Sequence, residues 1–372
     1  VQVGIFHPSV DSMRGAPRFL RAPLSCATRT SLSVREQPFH GHGYQLIQNS
    51  CGTTRTASSS AGALSGQTLG FVGLGKIGSG MVNNLLKAGA SVVVYDPDQS
   101  ALKAASEVGA TVAESCADVA RRAPVVLTAV PNDKVLHQVV VDLLPALPKG
   151  AVHVSCSTVA PKTSRALGEE HAAKGVGFVS APVFARPDGM RRGEATIPIS
   201  GASWAKDLAK PALQHTSLEV HDFGEDVGAA NVVKLGGNFL IAAAIESLAE
   251  ASALAESNGV DREQFVSLMS STIFDCLIYK GYGHRVATRD HFPHPDAHFA
   301  LDLGTKDVAL IHDSASDSRC PMPIASLLRD RFVAAQNSGR GKLDWSALAL
   351  RASEDAGVDV GPELEKLLAS TK

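Results

Sequence analysis

Thr68-Leu69-Gly70-Phe71-Val72-Gly73-Leu74-Gly75-Lys76-Ile77-Gly78 is the stretch on which the fold turns. A short apolar strand runs into three glycines at G-x-G-x-x-G spacing. A helical segment, Met81–Ala88, follows, and then a second strand-like run, Ser91-Val92-Val93-Val94-Tyr95, ends on Asp96. A glycine triplet alone is a weak signal. Placed after a strand, opening a helix, and followed about 20 residues on by an acid, it is the full dinucleotide-binding pattern. Gly73 allows the tight turn, Gly75 lets backbone amides reach a pyrophosphate, and Gly78 lets helix and strand pack. Residues Gly73, Leu74, Gly75, Lys76, Ile77 and Gly78 are therefore expected around the cofactor, with the helix N-terminus facing its phosphates.

Gly70 to Lys76 also fits G-x-x-x-x-G-K, the opening of a nucleoside-triphosphate loop, but Ile77 supplies no hydroxyl for magnesium, and that reading fails. Asp96 can accept hydrogen bonds from a ribose diol, and its charge repels a 2′-phosphate. The run Tyr95-Asp96-Pro97-Asp98 has no arginine to receive that phosphate, so NAD is favoured over NADP.

Alternation continues beyond the fingerprint. Strand-like runs lie at 124–130, 151–158, 177–183, 195–200 and 218–223, with helical segments at 133–147, 163–174 and 204–215 between them. This is the signature of an α/β chain with a Rossmann-type, doubly wound sheet. After residue 226 strand signals stop. A long interdomain helix over 227–259 and an all-α C-terminal domain are expected, dividing the body into 67–226 and 227–372. Along that long helix Val232, Leu235, Phe239, Leu240, Ala243, Leu248 and Leu254 recur at helical spacing. Lys234 is its one charged side chain between Asp226 and Glu246, and Asn231 and Asn238 share its face. Gly236 and Gly237 sit in the helix interior, where each glycine costs about 1 kcal/mol. Something must approach the backbone there. A lone lysine on a half-buried helix ordinarily snorkels to water; the alternative is a desolvated lysine of lowered pKa that exchanges a proton with substrate.

Residues 1–66 differ from the rest. Their basic residues are all arginine (Arg14, Arg18, Arg21, Arg29, Arg35, Arg55), their only acids are Asp11 and Glu36, and serine and threonine are dense. This is the composition of an organellar transit segment, without the apolar core of a secretory signal. Met13 is a candidate start. A mitochondrial destination is expected ahead of a plastid one, and a cytoplasmic one if the segment carries no address. Across the whole chain, 35 basic and 37 acidic residues give a net charge of -2, which argues against nucleic acid as a partner. No uninterrupted apolar run approaches the roughly 20 residues that span a bilayer, so no membrane association is expected. The six cysteines are scattered without a CxxC pair and read as reduced thiols. Asp290-His291-Phe292-Pro293-His294-Pro295-Asp296-Ala297-His298 offers metal-ligand types, but two prolines break the register, and no metal site is expected.

The segment from about Gln67 to Ala347 resembles the β-hydroxyacid dehydrogenase family, typified by 3-hydroxyisobutyrate dehydrogenase and related to 6-phosphogluconate dehydrogenase. Ser157-Thr158-Val159-Ala160-Pro161 looks like its STVxP segment, Gly228, Lys234 and Asn238 match GxGxxxKxxxN with Ala230 in place of its second glycine, and Lys306-Asp307 matches its KD pair. The resemblance implies that Lys234 is the catalytic acid/base, that Asn238 holds the substrate, that Thr158 and Pro131 contact the cofactor, and that Lys306 reaches cofactor and substrate. It implies a substrate loop at Ser157 and at Pro182, Val183, Phe184, Ala185 and Arg186. There the sequence departs from the family's D-x-P-V-S-G-G: Phe184 stands for the serine, and Ala185 and Arg186 for the glycines. Arg186 is either a carboxylate clamp or a solvent-facing charge, and the sequence leaves both open. The expected activity is NAD-dependent oxidation of a short β-hydroxyacid by a homodimer or homotetramer. The alternatives are an NADPH-type reductase of small aldehydes and an inactive cofactor-binding scaffold.

Overall fold

The computed structural model describes residues 62–293, 299–358 and 360, which fall within one compact unit, Ser58–Lys372. The transit-like composition read over 1–66 lies, up to residue 61, outside the described residues. Eight strands form one sheet: β1 Thr68–Val72, β2 Ser91–Tyr95, β3 Thr111–Val112, β4 Val125–Thr128, β5 Val152–Ser155, β6 Gly177–Ser180, β7 Ala195–Gly201 and β8 Ser217–Asp222. Their order is β3-β2-β1-β4-β5-β6-β7-β8. The first six strands are parallel, β7 runs antiparallel to β6, and β8 returns parallel to β7. Strand order reverses between β1 and β4, and the glycine loop leaves β1 at that switch point, where α/β sheets bind ligands.

Helices α1 Lys76–Lys87, α2 Gln99–Glu107, α3 Cys116–Arg122, α4 Asp133–Leu143, α5 Pro161–Ala173, α6 Pro187–Arg192 and α7 Ser203–Gln214 accompany these strands. Neighbouring strand residues feed opposite cores: Phe71, Val94 and Leu127 pack in one cluster, Val72, Val93 and Val126 in another. A parallel sheet covered on both faces needs both sets to be apolar, which is why these strands read as continuous Val-rich runs. The second part holds α8 Ala229–Ser257, α9 Arg262–Ser271, α10 Leu277–Thr288, α11 Leu301–Asp317, α12 Pro323–Asn337 and α13 Ala349–Asp355. Its core gathers Ala242, Ile245, Leu301, Val308, Phe332 and Trp345. A Rossmann-type α/β domain is thus followed by an all-α domain.

Three features differ from the sequence reading. Positions 99–122 hold α2, β3 and α3, too short and alanine-rich for a periodicity signal. Their caps were the available clue, since Asp98 accepts from the Ser100 amide and Ser115 from the Asp118 amide. The folded body also extends N-terminal of Gln67: Leu64 is buried, and its N–H donates to the Ala88 carbonyl at 2.9 Å. Finally, the apolar stripe on α8 is split. Leu235, Ile245 and Leu248 are buried, but Val232, Leu240 and Leu254 are more than half exposed, and the buried face also carries Ala230, Asn231, Lys234, Asn238, Glu246 and Ser252. By length and mean hydropathy, 1.5, α8 could cross a bilayer. It instead packs against α5, α10, α11 and α13, and its inward polar groups suit a protein interior.

Candidate active site

The glycine loop has the backbone that its sequence requires. Gly73 adopts φ +96°, and a Cβ there would lie 2.3 Å from the Ala129 carbonyl oxygen. At Gly78 a Cβ would meet the Gly73 carbonyl and the Phe71 ring. Around Gly75 the space is open, with nothing within 4 Å of an ideal Cβ. Gly75 is also the N-cap of α1, which has no side-chain cap and no acid in its first turn. An uncapped helix N-terminus beside open space fits a pyrophosphate, whose charge the amide dipoles favour. Asp96, at the end of β2, accepts from the Leu74 amide at 2.6 Å and the Asp98 amide at 2.8 Å. The carboxylate is thereby held against the loop, and each oxygen keeps a lone pair for a ribose hydroxyl. Pro131 is exposed past the end of β4, and Ser157, past β5, accepts from the Val130 amide at 2.9 Å.

α8 crosses from the sheet to the helical domain and carries the polar face seen in the sequence. Asn231 is committed to packing: its amide donates to the Val159 carbonyl at 3.1 Å, and Ser164 donates to its oxygen. One turn on, Lys234 is 9% exposed. Burial pulls its pKa down from 10.5 to about 8, against the attraction of Asp307 and with help from the neighbouring charge of Lys306. Asn238 donates to Asp307 Oδ2 at 2.6 Å. Lys306 Nζ donates to the Thr158 carbonyl at 2.9 Å and lies 2.8 Å from Asp307 Oδ1, an ion-pair contact not aligned as a hydrogen bond. Asp307 on α11 therefore ties Asn238 to Lys306, and Lys306 reaches across to the loop after β5.

The loop after β6 completes the cluster. Pro182 and Val183 are buried. The Phe184 ring centroid lies 4.2 Å from Lys234 Nζ. The same ring lies over Gly237, where a Cβ would sit 2.5 Å from two of its carbons. This is the close approach that glycine inside α8 foretold, at Gly237 only, because Gly236 faces open space. Ala185 packs on the sheet core. Arg186 stands at the N-cap position of α6 without a side-chain capping bond, with Nε 3.7 Å from Asp188 and Nη1 against Gly281 of α10.

The structure thus brings Lys234, Asn238, Lys306, Thr158 and Phe184 into one connected set, and the Gly73–Gly78 loop with Asp96 into another. Asp307 was not singled out as a site residue in the sequence; its clue was its place beside Lys306 on a helix that must face α8. Cys156 is buried, its thiol pushed up to about 12, so it is not a nucleophile. Among the described residues no group of three or more His, Cys, Asp or Glu is placed to hold a metal ion. Residues 294–298 of the histidine-rich stretch lie outside the described residues.

Two family models match the chain: the NAD binding domain of 6-phosphogluconate dehydrogenase over residues 68–224, and the NAD-binding region of NADP-dependent 3-hydroxyisobutyrate dehydrogenase over 228–352. The uncharacterised oxidoreductase YfjR of Bacillus subtilis is 32% identical over 75% of this chain and 98% of its own length. Mitochondrial 3-hydroxyisobutyrate dehydrogenase of Drosophila melanogaster is 27% identical, over 79% of this chain and 91% of its own. A crystal structure of 3-hydroxyisobutyrate dehydrogenase from Salmonella typhimurium superposes with a TM-score of 0.69 at 27% identity, covering 76% of this chain and 99% of that one. With the fold, the glycine loop and these matches in agreement, the chain belongs to the 3-hydroxyisobutyrate dehydrogenase-like, 6-phosphogluconate dehydrogenase-related family of NAD(P)-dependent oxidoreductases.

Proposed function

We propose that the protein oxidises the hydroxyl of a short β-hydroxyacid, 3-hydroxyisobutyrate being the nearest named substrate, with NAD as acceptor and Lys234 as general acid/base. The observation that carries this reading is the buried Lys234, its pKa drawn down to about 8 on a helix face shared with Asn238. The Gly73–Gly78 loop and Asp96 would hold NAD, which would supply the acceptor for the carbinol hydride. The protein must remove the hydroxyl proton, and only a neutral amine can accept it. At ordinary lysine basicity, about 10.4, almost none would be neutral near pH 7; at about 8 a useful fraction is. Asn238, held by Asp307, orients the substrate, and Lys306 anchors the Thr158 segment beside it. In the reverse direction the ammonium of Lys234 polarises the carbonyl and returns the proton.

NAD is proposed over NADP because the Asp96 carboxylate is fixed at the end of β2, where a 2′-phosphate would be repelled. Arg186 is proposed to bind the substrate carboxylate, its side chain being partly exposed and its nearest acid 3.7 Å away. The exposed apolar residues Val232, Leu240 and Leu254 on α8 favour self-association as a homodimer or homotetramer, which light scattering would size. A division between the two domains near residue 226 is proposed, with α8 as the connection and with the first domain starting ahead of Gln67 at the buried Leu64. A mitochondrial location is proposed from the arginine-rich segment and from the mitochondrial name of the Drosophila relative. A fluorescent fusion of residues 1–61 that stays cytosolic would reject that location. The activity is tested by screening the protein against short hydroxyacids with NAD and NADP in parallel. Oxidation with NAD that rises with pH around 8 is expected, and no turnover with any hydroxyacid would overturn the reading.

A further inference from the structure

We infer that Phe184 positions the ammonium of Lys234 and forms an apolar wall that selects substrates carrying a nonpolar substituent near the reacting carbon. The substrate half rests on the dehydrogenase reading above; the positioning half does not. Phe184 is fixed by its backbone: its N–H donates to the Thr196 carbonyl at 2.9 Å and its carbonyl accepts from the Thr196 amide at 3.1 Å. Side chains alternate along this extended segment. Ala185 packs into the sheet core, while Phe184 and Arg186 reach the helical domain, each resting on a glycine, Gly237 of α8 and Gly281 of α10. The two glycines are notches that admit those side chains.

Within the Gly237 notch the ring face lies 4.2 Å from Lys234 Nζ, inside the range at which an aromatic quadrupole attracts a cation. The charged groups bearing on Lys234 are Asp307 and Lys306, both on α11. The loop contributes the ring. The ring offers no donor and the Phe184 amide already serves Thr196, so a carboxylate set against the ring would have only the Lys234 ammonium, the group the reacting hydroxyl needs. A carboxylate there would pair with that ammonium and take it from the hydroxyl, whereas an apolar group is accommodated without doing so. The substrate class is therefore a hydroxyacid whose nonpolar substituent meets Phe184 and whose carboxylate lies towards Arg186.

Two experiments test this. NMR titration of lysine-labelled protein follows Lys234, its signal assigned by loss in Lys234→Arg. Phe184→Leu keeps the burial and removes the quadrupole, so the midpoint should fall by about half a pH unit or more. Phe184→Tyr keeps a ring and should restore the wild-type midpoint. An unchanged or raised midpoint in Phe184→Leu overturns the positioning role. Independently, kcat/KM is compared for 3-hydroxy-2-phenylpropanoate and 3-hydroxypropanoate. Wild type should favour the phenyl-bearing acid about tenfold or more, and Phe184→Ser should abolish that preference. A ratio near one in wild type, or one that Phe184→Ser leaves unchanged, overturns the wall. Absence of turnover with every hydroxyacid overturns the dehydrogenase reading and the wall with it, while the NMR arm still decides the positioning role.

Discussion

Replacing Lys234 with methionine should make the protein more stable near neutral pH while removing its turnover. Methionine has nearly the length and volume of the lysine stem and carries no charge. Lys234 is pulled from 10.5 to about 8 mainly by burial. That fall of ~2.5 pH units corresponds to a cost of up to ~3 kcal/mol for holding the ammonium in the fold. The sign follows from proton counts. Between pH 8 and 10.5 the unfolded chain holds a proton on this lysine that the folded chain has released, so wild-type stability rises with pH through that window. Below pH 8 the cost is fully present, and above 10.5 it vanishes. Urea unfolding of wild type and Lys234→Met at several pH values from 6.5 upward reads this directly. The variant should be the more stable at pH 6.5 to 7.5, with a gap that closes as pH rises above 8. A variant that is less stable at pH 7, or a gap indifferent to pH, would mean the ammonium is solvated and the lysine is an ordinary snorkelling side chain.

Asp96→Asn should weaken NAD binding and narrow its preference over NADP, because the charge that repels a 2′-phosphate is gone; isothermal titration with both cofactors measures it, and an unchanged ratio removes the ribose assignment. Gly237→Ala should lower turnover about tenfold while leaving the melting temperature within a few degrees: alanine favours the helix by ~1 kcal/mol but forces the Phe184 ring off Lys234. Turnover and melting temperature that are both unaffected would show that the ring is free to move aside. A chain beginning at Gly62 should fold like the full protein, whereas one beginning at Gln67 loses the buried Leu64 and should be less stable by about 2 kcal/mol or more, as read by urea unfolding. Equal stability of the two would show that Leu64 contributes nothing to the core.

What the sequence made legible was whatever the backbone itself dictates. Gly73 and Gly78 are demanded by a turn and a contact that no other residue fits, and Asn231, Lys234 and Asn238 share a face because helical spacing puts them there. Contacts between distant segments were not legible. That Phe184 rests on Gly237 depends on where a loop meets a helix 53 positions later, and the glycine signalled only that something would arrive. Asp307 was legible only as the second residue of the Lys306-Asp307 pair; its role shows once α11 is docked on α8 and the carboxylate is buried between Asn238 and Lys306. Val232, Leu240 and Leu254 continue a helical apolar pattern that reads as core, yet they face outward, while the inward face of α8 combines Leu235, Ile245 and Leu248 with small and polar groups. Periodicity reports that a face is apolar, not what covers it.

The central claim is that Lys234 moves the proton. The measurement that bears on it most directly is kcat for alcohol oxidation by Lys234→Ala, with NAD affinity determined on the same preparation. The glycine loop and Asp96 lie on other elements than α8, so NAD should bind as in wild type. Turnover should fall by a factor on the order of 10² or more, the usual worth of a positioned acid/base. Near-normal turnover in a variant that still binds NAD would contradict the account.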